Sequence, residues 1–253
     1  KDFNKGAITS ADQLIAGKAP GVQVVQNSGE PGGGITVNIR GVGSINAGVN
    51  PLYVIDGLPL DNPAVVTGSG TNFTGMRTPR NPLNSINPND IASIEILKDA
   101  SATAIYGARG ANGVVLITTK SGRAGALRIN YDVYAGVQNV AHKIRLLDAK
   151  EYMEVINAII DEGGGNASQK VTSISGNGTD WLEQVYNNNA VIQNHNLAMS
   201  GGSEKTTFMA SLNYYNQEGI LINSSNTRYA ARLNLTHKTS DRFQIGLNLN
   251  TSY

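Results

Sequence analysis

Residues 87–120 contain the most specific pattern in the sequence, which is an apolar strand, a short helix, a glycine turn and a second strand. The run 94–97 predicts the first strand, and the alanine-rich segment 100–105 predicts the helix. Gly107 is placed to end that helix, and the β-branched run 114–119 is typical of a strand covered on both faces. The segment is therefore a packing unit and does not resemble a reaction centre.

Shorter strand signals precede this unit. The segments 22–25, 35–39 and 52–55 each predict a strand, and Asp56-Gly57 after the last of them indicates a hairpin. The glycine-rich stretch 29–34 leads into a strand, and no Gly-Lys-Ser/Thr follows it. It therefore predicts a plain turn, not a phosphate loop.

Three segments have helical patterns. Ser10 and Gln13 form a capping-box pattern at the start of 10–19. The segment 148–161 places apolar residues on one face and is followed by a glycine run, and 179–186 is a second short amphipathic segment. Each of the three predicts a short helix.

The second half of the sequence alternates apolar and polar residues with a period of two. Clear alternation covers 128–138, 205–214, 228–236 and 242–251, with a weaker case at 194–200. Strands with one apolar and one polar face, and with tyrosine or phenylalanine near their ends, suit a transmembrane barrel. A soluble β-sandwich also consists of alternating strands, and periodicity alone favours it.

Composition excludes several classes of protein. The chain has 253 residues, a formal net charge of +1 and 15% charged residues, so it has neither a basic stripe for nucleic acid nor an acidic tail. It contains no cysteine, which excludes a disulfide scaffold and a cysteine nucleophile. No apolar run is long enough for a membrane helix, so a membrane location would require a barrel.

The sequence offers no pattern typical of an enzyme or of a bound cofactor. His142, His195 and His237 each lack a second ligand at metal-binding spacing, so no metal site is predicted. There is no Gly-x-Ser-x-Gly motif and no recognisable pair of catalytic carboxylates. We therefore expect a protein that is not an enzyme.

The segment ILKDASATAIYGARGANGVVLITTK at 96–120 resembles the end of the plug domain of TonB-dependent outer-membrane transporters. Its particular residues resemble those of the SusC/RagA branch of that family. The NIRG sequence at 38–41 and PLYVIDG at 51–57 match the same family, so the likeness runs from about Ile8 to Gly122. The segments 193–207 and 216–220 also resemble its early barrel strands. These likenesses reverse the preference for a soluble sandwich.

The resemblance implies an α+β plug domain at 1–124, followed by antiparallel transmembrane β-barrel strands at 125–253 with a partly helical insert near 146–190. A barrel that holds a plug needs about 22 strands, and five cannot close. We therefore expect the chain to be an N-terminal fragment of a longer polypeptide. The TonB box is expected before Lys1, and most of the strands after Tyr253.

The implied function is TonB-dependent import of an oligosaccharide or peptide across the bacterial outer membrane, with the plug in the barrel lumen and the N-terminus in the periplasm. The implied partners are a SusD-like surface lipoprotein, the TonB–ExbB–ExbD complex, outer-membrane lipid and a glycan or peptide ligand, with no nucleic acid. Alternatives are an outer-membrane binding or signalling receptor that does not transport, an accessory barrel of a larger envelope complex, or a soluble β-sandwich lectin.

Two sets of residues are candidates for function. Two polar loops, at 43–49 and 63–82, are longer than ordinary connections, and amides with an aromatic ring suit sugars or peptides. The predicted ligand-facing residues of the plug loops are Asn46, Asn50, Asn72, Phe73, Arg77 and Arg80. The resemblance also implies ionic contacts between plug and barrel at Arg40, Glu95 and Lys98, although Lys98 stands where the family often has an arginine.

Overall fold

The structure is a computed structural model, and it describes residues 8–41, 50–60 and 82–253. Eleven strands are defined within these ranges. They are β1 (Val22–Gln26), β2 (Ile35–Ile39), β3 (Leu52–Ile55), β4 (Leu58–Pro59), β5 (Ile91–Leu97), β6 (Val114–Thr119), β7 (Gly125–Gln138), β8 (Ala190–Gly202), β9 (Thr206–Glu218), β10 (Ser225–Ser240) and β11 (Phe243–Ser252).

The helices are short except for one. The α-helices are α1 (Ala100–Thr103), α2 (Ala149–Glu162) and α3 (Trp181–Val185), and 3₁₀ turns cover Ala11–Leu14, Pro82–Ser85, Pro88–Asp90, Ala104–Gly110 and Ala167–Gln169. Asp148 caps α2 in a capping box with Glu151. Across the described ranges, no helix has the length and apolar character needed to cross a membrane.

The N-terminal half, up to Lys120, contains two small sheets. Strands β1 and β2 form an antiparallel hairpin, and the other four strands lie in the order β4-β3-β6-β5. β3 pairs in parallel with β6, whereas β5 pairs antiparallel with it. The β-branched segment 114–119 thus occupies a central strand, which confirms the prediction for it.

The core of this half is apolar. Residues of the two sheets and of two 3₁₀ turns form one buried cluster, which is completed by partly buried neighbours. Its buried members are Ala11, Ile15, Val37, Ile39, Tyr53, Leu83, Ile86, Val115 and Ile117. Each fully buried valine, leucine or isoleucine in such a cluster contributes roughly 1.5–3 kcal/mol. The N-terminal half therefore buries its apolar residues in the way an ordinary globular domain does.

The predicted helix at 10–19 is wrong in extent. Only Ala11–Leu14 is helical, as a 3₁₀ turn, and the Ser10 side chain makes no cap bond. The backbone amide of Thr9 donates instead to Gln13 Oε1 at 3.0 Å. The buried Asp12 accepts a hydrogen bond from the Tyr53 hydroxyl at 3.0 Å, and Gly17 has φ of +70°, so core contacts and a left-handed glycine replace the longer helix.

All five predicted strands of the second half are present, and they form one antiparallel sheet in the order β11-β10-β9-β8-β7. Short turns join β8 to β9 and β10 to β11 at one end of this sheet. The connection that contains α2 and α3, and the one between β9 and β10, lie at the other end. The sheet is therefore an up-and-down meander with short turns at one end and longer connections at the other.

The two faces of this sheet have an unusual distribution of residues. Apolar side chains of the outer face are exposed, including Leu127, Ile129, Val133, Leu212, Ile245 and Leu249. Polar side chains of the inner face are buried, including Asn194, Asn196, Ser211, Asn213, Arg228 and Arg232. A soluble sandwich buries its apolar face, so this arrangement contradicts the sandwich alternative.

The segment that joins the two halves passes close to the sheet. A Cβ atom on Gly122 would lie 2.5 Å from the backbone N and O atoms of Phe208 in β9, so only glycine fits there. Gly125 then begins β7 opposite Gly202. The connection therefore holds the N-terminal half against the inner face of the sheet.

Candidate functional site at the interface of the two halves

The two halves meet through hydrogen bonds between polar side chains. Asn87 Nδ2 donates to Asn196 Oδ1 at 2.7 Å, and the Ser211 hydroxyl donates to Asp90 Oδ2 at 2.6 Å. All four side chains belong to buried residues. The segment 87–90, which contains a 3₁₀ turn after Asn87, thereby contacts both β8 and β9.

Arg232 of β10 binds the end of the central strands, an arrangement we call the Arg232 contact. Its guanidinium donates to the carbonyl of Lys120 at 3.0 Å and to the hydroxyl of Thr119, and it lies 3.4 Å from Asp56 Oδ2. The Arg232 side chain is only 6% exposed. Asn248 of β11 donates to the same Asp56 oxygen at 2.9 Å.

Asp56 is held in position by its own turn. It precedes Gly57 in the predicted hairpin, and both residues have positive φ. The backbone amide of Thr119 donates to Oδ1 at 2.9 Å, and the Thr119 hydroxyl donates to Oδ2 at 2.5 Å. Burial alone would raise the pKa of Asp56, but the bonds from Thr119 and Asn248 and the charge of Arg232 hold the pKa below its ordinary value.

Arg228 of β10 binds a different part of the N-terminal half, an arrangement we call the Arg228 contact. Its Nη1 donates to the carbonyl oxygen of Asn84 at 3.1 Å and to that of Ile86 at 3.5 Å. Its Nη2 donates to Asn213 Oδ1 at 3.3 Å, and the guanidinium lies 5.1 Å from the centre of the Tyr215 ring. The planar guanidinium thus holds two backbone carbonyls against the sheet.

Asp90 lies between these two arginines. Burial raises the pKa of Asp90, and the Ser211 hydroxyl with the charges of Arg232, Lys120 and Arg228 offsets only part of that effect. Its Oδ1 atom has no hydrogen-bond partner. The interface therefore contains two aspartates in opposite situations, one stabilised in its charged form and one destabilised in it.

Only one of the six predicted ligand-facing residues, Asn50, belongs to the part of the chain that the structure describes. Asn46, Asn72, Phe73, Arg77 and Arg80 lie outside the described residues. Asn50 is described and is partly buried, and its carbonyl accepts a hydrogen bond from Asn112 Nδ2 at 3.5 Å. The ligand-facing role of all six residues stays a prediction.

The three predicted ionic residues lie on the N-terminal half at a distance from the Arg232 contact. Arg40 forms an ion pair with Asp99 at 2.5 Å, and both side chains are exposed. Lys98 donates to the carbonyl of Pro20 at 3.4 Å, and Glu95 is exposed on β5. Their contacts in the described chain are thus within the same half, and a role in ionic contacts with barrel strands stays a prediction.

The ionic contacts seen between the halves have the opposite arrangement, with arginines on the strands and aspartates on the N-terminal half. Sequence reasoning placed Arg228 and Arg232 only on the polar face of a strand. Two arginines four residues apart on that face, opposite tyrosine and leucine, were the available signal. Arginine rarely stays buried without a partner, so an inward-facing pair indicates acidic or carbonyl partners.

The exposed face of the sheet carries a row of aromatic rings across four strands. Tyr131, His195, Tyr214 and Tyr229 follow one another with centroid distances of 6.2, 6.0 and 5.1 Å. The Tyr131 hydroxyl and His195 Nδ1 are 2.7 Å apart. Rings with polar tips suit the boundary between hydrocarbon and water.

Comparison with known proteins agrees with this arrangement. The TonB-dependent receptor plug domain family matches residues 1–114. TonB-dependent receptor P26 of Formosa agariphila is 38% identical over 256 residues, which covers 100% of this chain. The chain contains the plug domain and antiparallel strands of a SusC/RagA-like TonB-dependent receptor. The N-terminal half is accordingly called the plug below.

Two further likenesses cover both the plug and the strands. TonB-dependent receptor SusC of Bacteroides thetaiotaomicron is 35% identical over 235 residues, or 92% of this chain. The RagAB peptide importer in its closed-closed state matches 98% of this chain with a TM-score of 0.78 and 26% identity. The recognition made from the sequence motifs is therefore confirmed.

The chain spans only part of the length of these relatives. It covers 24% of receptor P26, 22% of SusC and 29% of the RagAB chain. The predicted fold class, a plug followed by antiparallel barrel strands, is confirmed for the region that is shared. The activity, substrates and partners of the whole protein are treated as proposals below.

Proposed function

We propose that this protein imports an oligosaccharide or a peptide across the outer membrane, driven by TonB, ExbB and ExbD, together with a SusD-like surface lipoprotein. The single observation that supports this most strongly is the burial pattern of the sheet. Its apolar face is exposed and its asparagine- and arginine-rich face is covered by the plug. That pattern suits strands between lipid and a plugged lumen.

The topology of the sheet supports an orientation. Barrels of this kind have short turns on the periplasmic side and longer connections outside. We therefore propose that the turns near Ser203 and Asp241 face the periplasm and that α2 and α3 lie outside the cell. The plug, which we take as 1–124, then lies in the lumen of a barrel to which 125–253 contributes, with the N-terminus on the periplasmic side.

The interface chemistry suits a plug that closes the lumen at rest and is moved during transport. The contacts are hydrogen bonds and ion pairs, which can be exchanged for water, and they are few compared with the apolar cluster inside the plug. Ligand binding on the outer loops would favour access of TonB to the N-terminal segment. A pull on that segment would then rearrange part of the plug.

The names of the relatives support nutrient import. They are compatible with two classes of ligand, oligosaccharides and peptides. The RagAB structure is described as a peptide importer. The long polar loops, rich in glycine and asparagine, suit sugars as well as peptides. We therefore propose an oligosaccharide or a peptide as the ligand, with no catalytic role for the protein.

Uptake assays in the native host test the proposal. Cells would receive fluorescently labelled oligosaccharide and peptide pools, and the periplasmic label would be measured in wild-type cells, in cells without this gene and in cells without TonB. We expect both deletions to abolish uptake of the same pool. Uptake that persists without TonB would contradict the mechanism, and surface binding with no TonB-dependent uptake would favour a receptor that binds without transporting.

A further inference from the structure

Among the residues that the structure describes, Asn84 connects Arg228 to a second part of the plug. Its carbonyl oxygen accepts from Arg228 Nη1, while its side-chain Nδ2 donates to the carbonyl of Gly32 at 2.9 Å. Gly32 lies in the turn between β1 and β2. A chain of contacts thus runs from β10 through Asn84 to the tip of the first hairpin.

The hairpin tip also contacts the sheet directly, without a described hydrogen bond. A Cβ atom on Gly32, which has φ of +72°, would lie 2.9 Å from Asn226 Cγ. A Cβ atom on Gly219 would lie 3.1 Å from Pro31 Cγ. The tip therefore packs closely against the start of β10, and its polar link to the segment 82–90 is the hydrogen bond from Asn84.

The position of this chain of contacts links two regions with proposed roles. Pro82 follows directly in sequence after the stretch that contains Asn72, Phe73, Arg77 and Arg80, the predicted ligand-facing residues. The hairpin leads through β1 back to the N-terminal segment at 8–20. The Arg228 contact also lies toward the end of the sheet that has the longer connections.

We propose that Arg228 and Asn84 form a coupling joint that makes the β1–β2 hairpin and the segment 82–90 stay docked, or leave the sheet, as one unit. Arg228 is a positioning residue in this joint, because its described hydrogen bonds reach the hairpin through Asn84. If residues 84–86 move away from the sheet, the hydrogen bonds from Arg228 to their carbonyls break. The hydrogen bond from the Asn84 side chain to Gly32 is then lost at the same time. The proposed direction of the signal, from outer loop to N-terminus, rests on the proposed function.

The Arg232 contact provides the matched comparison. It binds Asp56, Thr119 and Lys120 at the end of the four-stranded sheet, and within the described part of the chain no hydrogen bond connects it to the hairpin. Loss of Arg232 should therefore loosen the ends of β3 and β6 without affecting residues 26–34. Two buried arginines on one strand would then control two separate parts of the plug.

Hydrogen exchange of the full-length protein in detergent, measured by mass spectrometry, tests the joint without any transported ligand. Arg228→Ala removes the hydrogen bonds to the carbonyls of Asn84 and Ile86. It should increase amide exchange in 26–34 and in 82–90 by at least about tenfold, the effect of one hydrogen bond in a local opening. Asn84→Ala keeps the carbonyl that Arg228 binds but removes the donor to Gly32. It should increase amide exchange in 26–34 as much as Arg228→Ala does, and it should increase amide exchange in 82–90 less than Arg228→Ala does.

The double variant distinguishes a coupling joint from general loosening. If the joint exists, Arg228→Ala adds nothing at 26–34 once Asn84 is alanine. Amide exchange in 114–119 should stay unchanged in Arg228→Ala, in Asn84→Ala and in the double variant. Arg232→Ala should leave exchange in 26–34 unchanged. Arg228→Lys keeps the charge but loses the planar fork, so it should retain at least half of the increase.

Four results would overturn the inference, and the first three concern the alanine variants. One is an exchange rate at 26–34 in Arg228→Ala that equals the wild-type rate. Another is a double variant whose increase at 26–34 is the product of the two single increases. A third is an increase at 114–119 as large as the one at 26–34. Full protection in Arg228→Lys would show that charge alone suffices and would also contradict the joint. Because this assay uses no ligand and no TonB, a failure of the uptake experiment would leave its result intact.

Discussion

The plug and the five-stranded sheet differ in where their apolar side chains lie. The plug strands β3 and β6 bury them, whereas strands β7–β11 expose them on the outer face of the sheet. In the plug, Val54, Val114 and Ile117 are almost fully buried, as in a water-soluble domain. On the outer face of β7–β11, apolar residues such as Leu212 and Ile245 are exposed, while asparagines and arginines of the inner face are buried against the plug. The exposed apolar face suits contact with lipid, as proposed above, whereas the apolar residues of the plug are buried within the plug itself.

The difference explains why the interface between the regions is polar. A plug that packed on the sheet through apolar residues would require an apolar lumen face and would be difficult to move. The observed contacts instead connect Asp56, Asp90 and carbonyl groups to Arg228 and Arg232. Stability of each region and docking between them are thus controlled by different residues and can be tested separately.

The largest expected effect comes from Arg232→Ala, which removes the arginine partner of Asp56 at the interface. Breaking a buried pair typically costs 3–5 kcal/mol, and Asp56 keeps Thr119 and Asn248, so we expect about 3 kcal/mol. Hydrogen exchange of 118–120 in the full-length protein measures the loss. Arg242→Ala, in an exposed turn, is the control. An unchanged exchange rate would mean that Arg232 does not hold the plug.

A charge on the outer face tests the sheet itself. Leu249 and Asn250 are adjacent, both are exposed, and they lie on opposite faces of β11. Arginine at a lipid-facing site near the middle of a bilayer costs roughly 2–4 kcal/mol, so Leu249→Arg should reduce assembled protein in the outer membrane strongly. Asn250→Arg places its charge on the inner face, opposite Arg232 of β10, so it should reduce assembled protein clearly less than Leu249→Arg does. Equal effects of the two substitutions would contradict the assignment of the faces.

A smaller effect is expected inside the plug. The Tyr53 hydroxyl donates to Asp12, and both residues are buried. Tyr53→Phe removes this donor from a buried carboxyl group and should lower plug stability by about 1–3 kcal/mol. Thermal unfolding of the full-length protein measures it, with Tyr253→Phe as the exposed control. Because the change lies in the plug core, exchange of β7–β11 should not respond.

The smallest effects concern pH. The pKa of Asp56 is lowered, so its charged form stabilises docking above the ordinary carboxyl pKa, and this contribution is lost as pH falls through the lowered value. The pKa of Asp90 is raised, so docking gains stability as pH falls through the raised value. Asp56→Asn should remove the first dependence and Asp90→Asn the second. Exchange at 118–120 across acidic pH checks both, and dependences of the same sign would contradict the account.

The sequence was sufficient where local pattern decides the structure. Alternation predicted β11 and its neighbours, and Asp56-Gly57 predicted the hairpin, because both depend on residues close in sequence. The role of the Asp56 carboxylate could not be predicted, since Arg232 and Asn248 lie 176 and 192 residues away. Arg40 was selected by family likeness, but its partner in the fold is the nearby Asp99 of the plug.

The most direct test of the central claim is the periodicity of lipid contact along β11. Fluorescent labels placed one at a time at residues 244–250 of the full-length protein, in bilayers with brominated acyl chains, would report contact with lipid. We expect strong quenching at Ile245, Leu247 and Leu249, and little at Gln244, Asn248 and Asn250. Quenching without alternation, or odd positions that only a water-soluble quencher reaches, would contradict a sheet with its apolar face in lipid and its polar face on the plug.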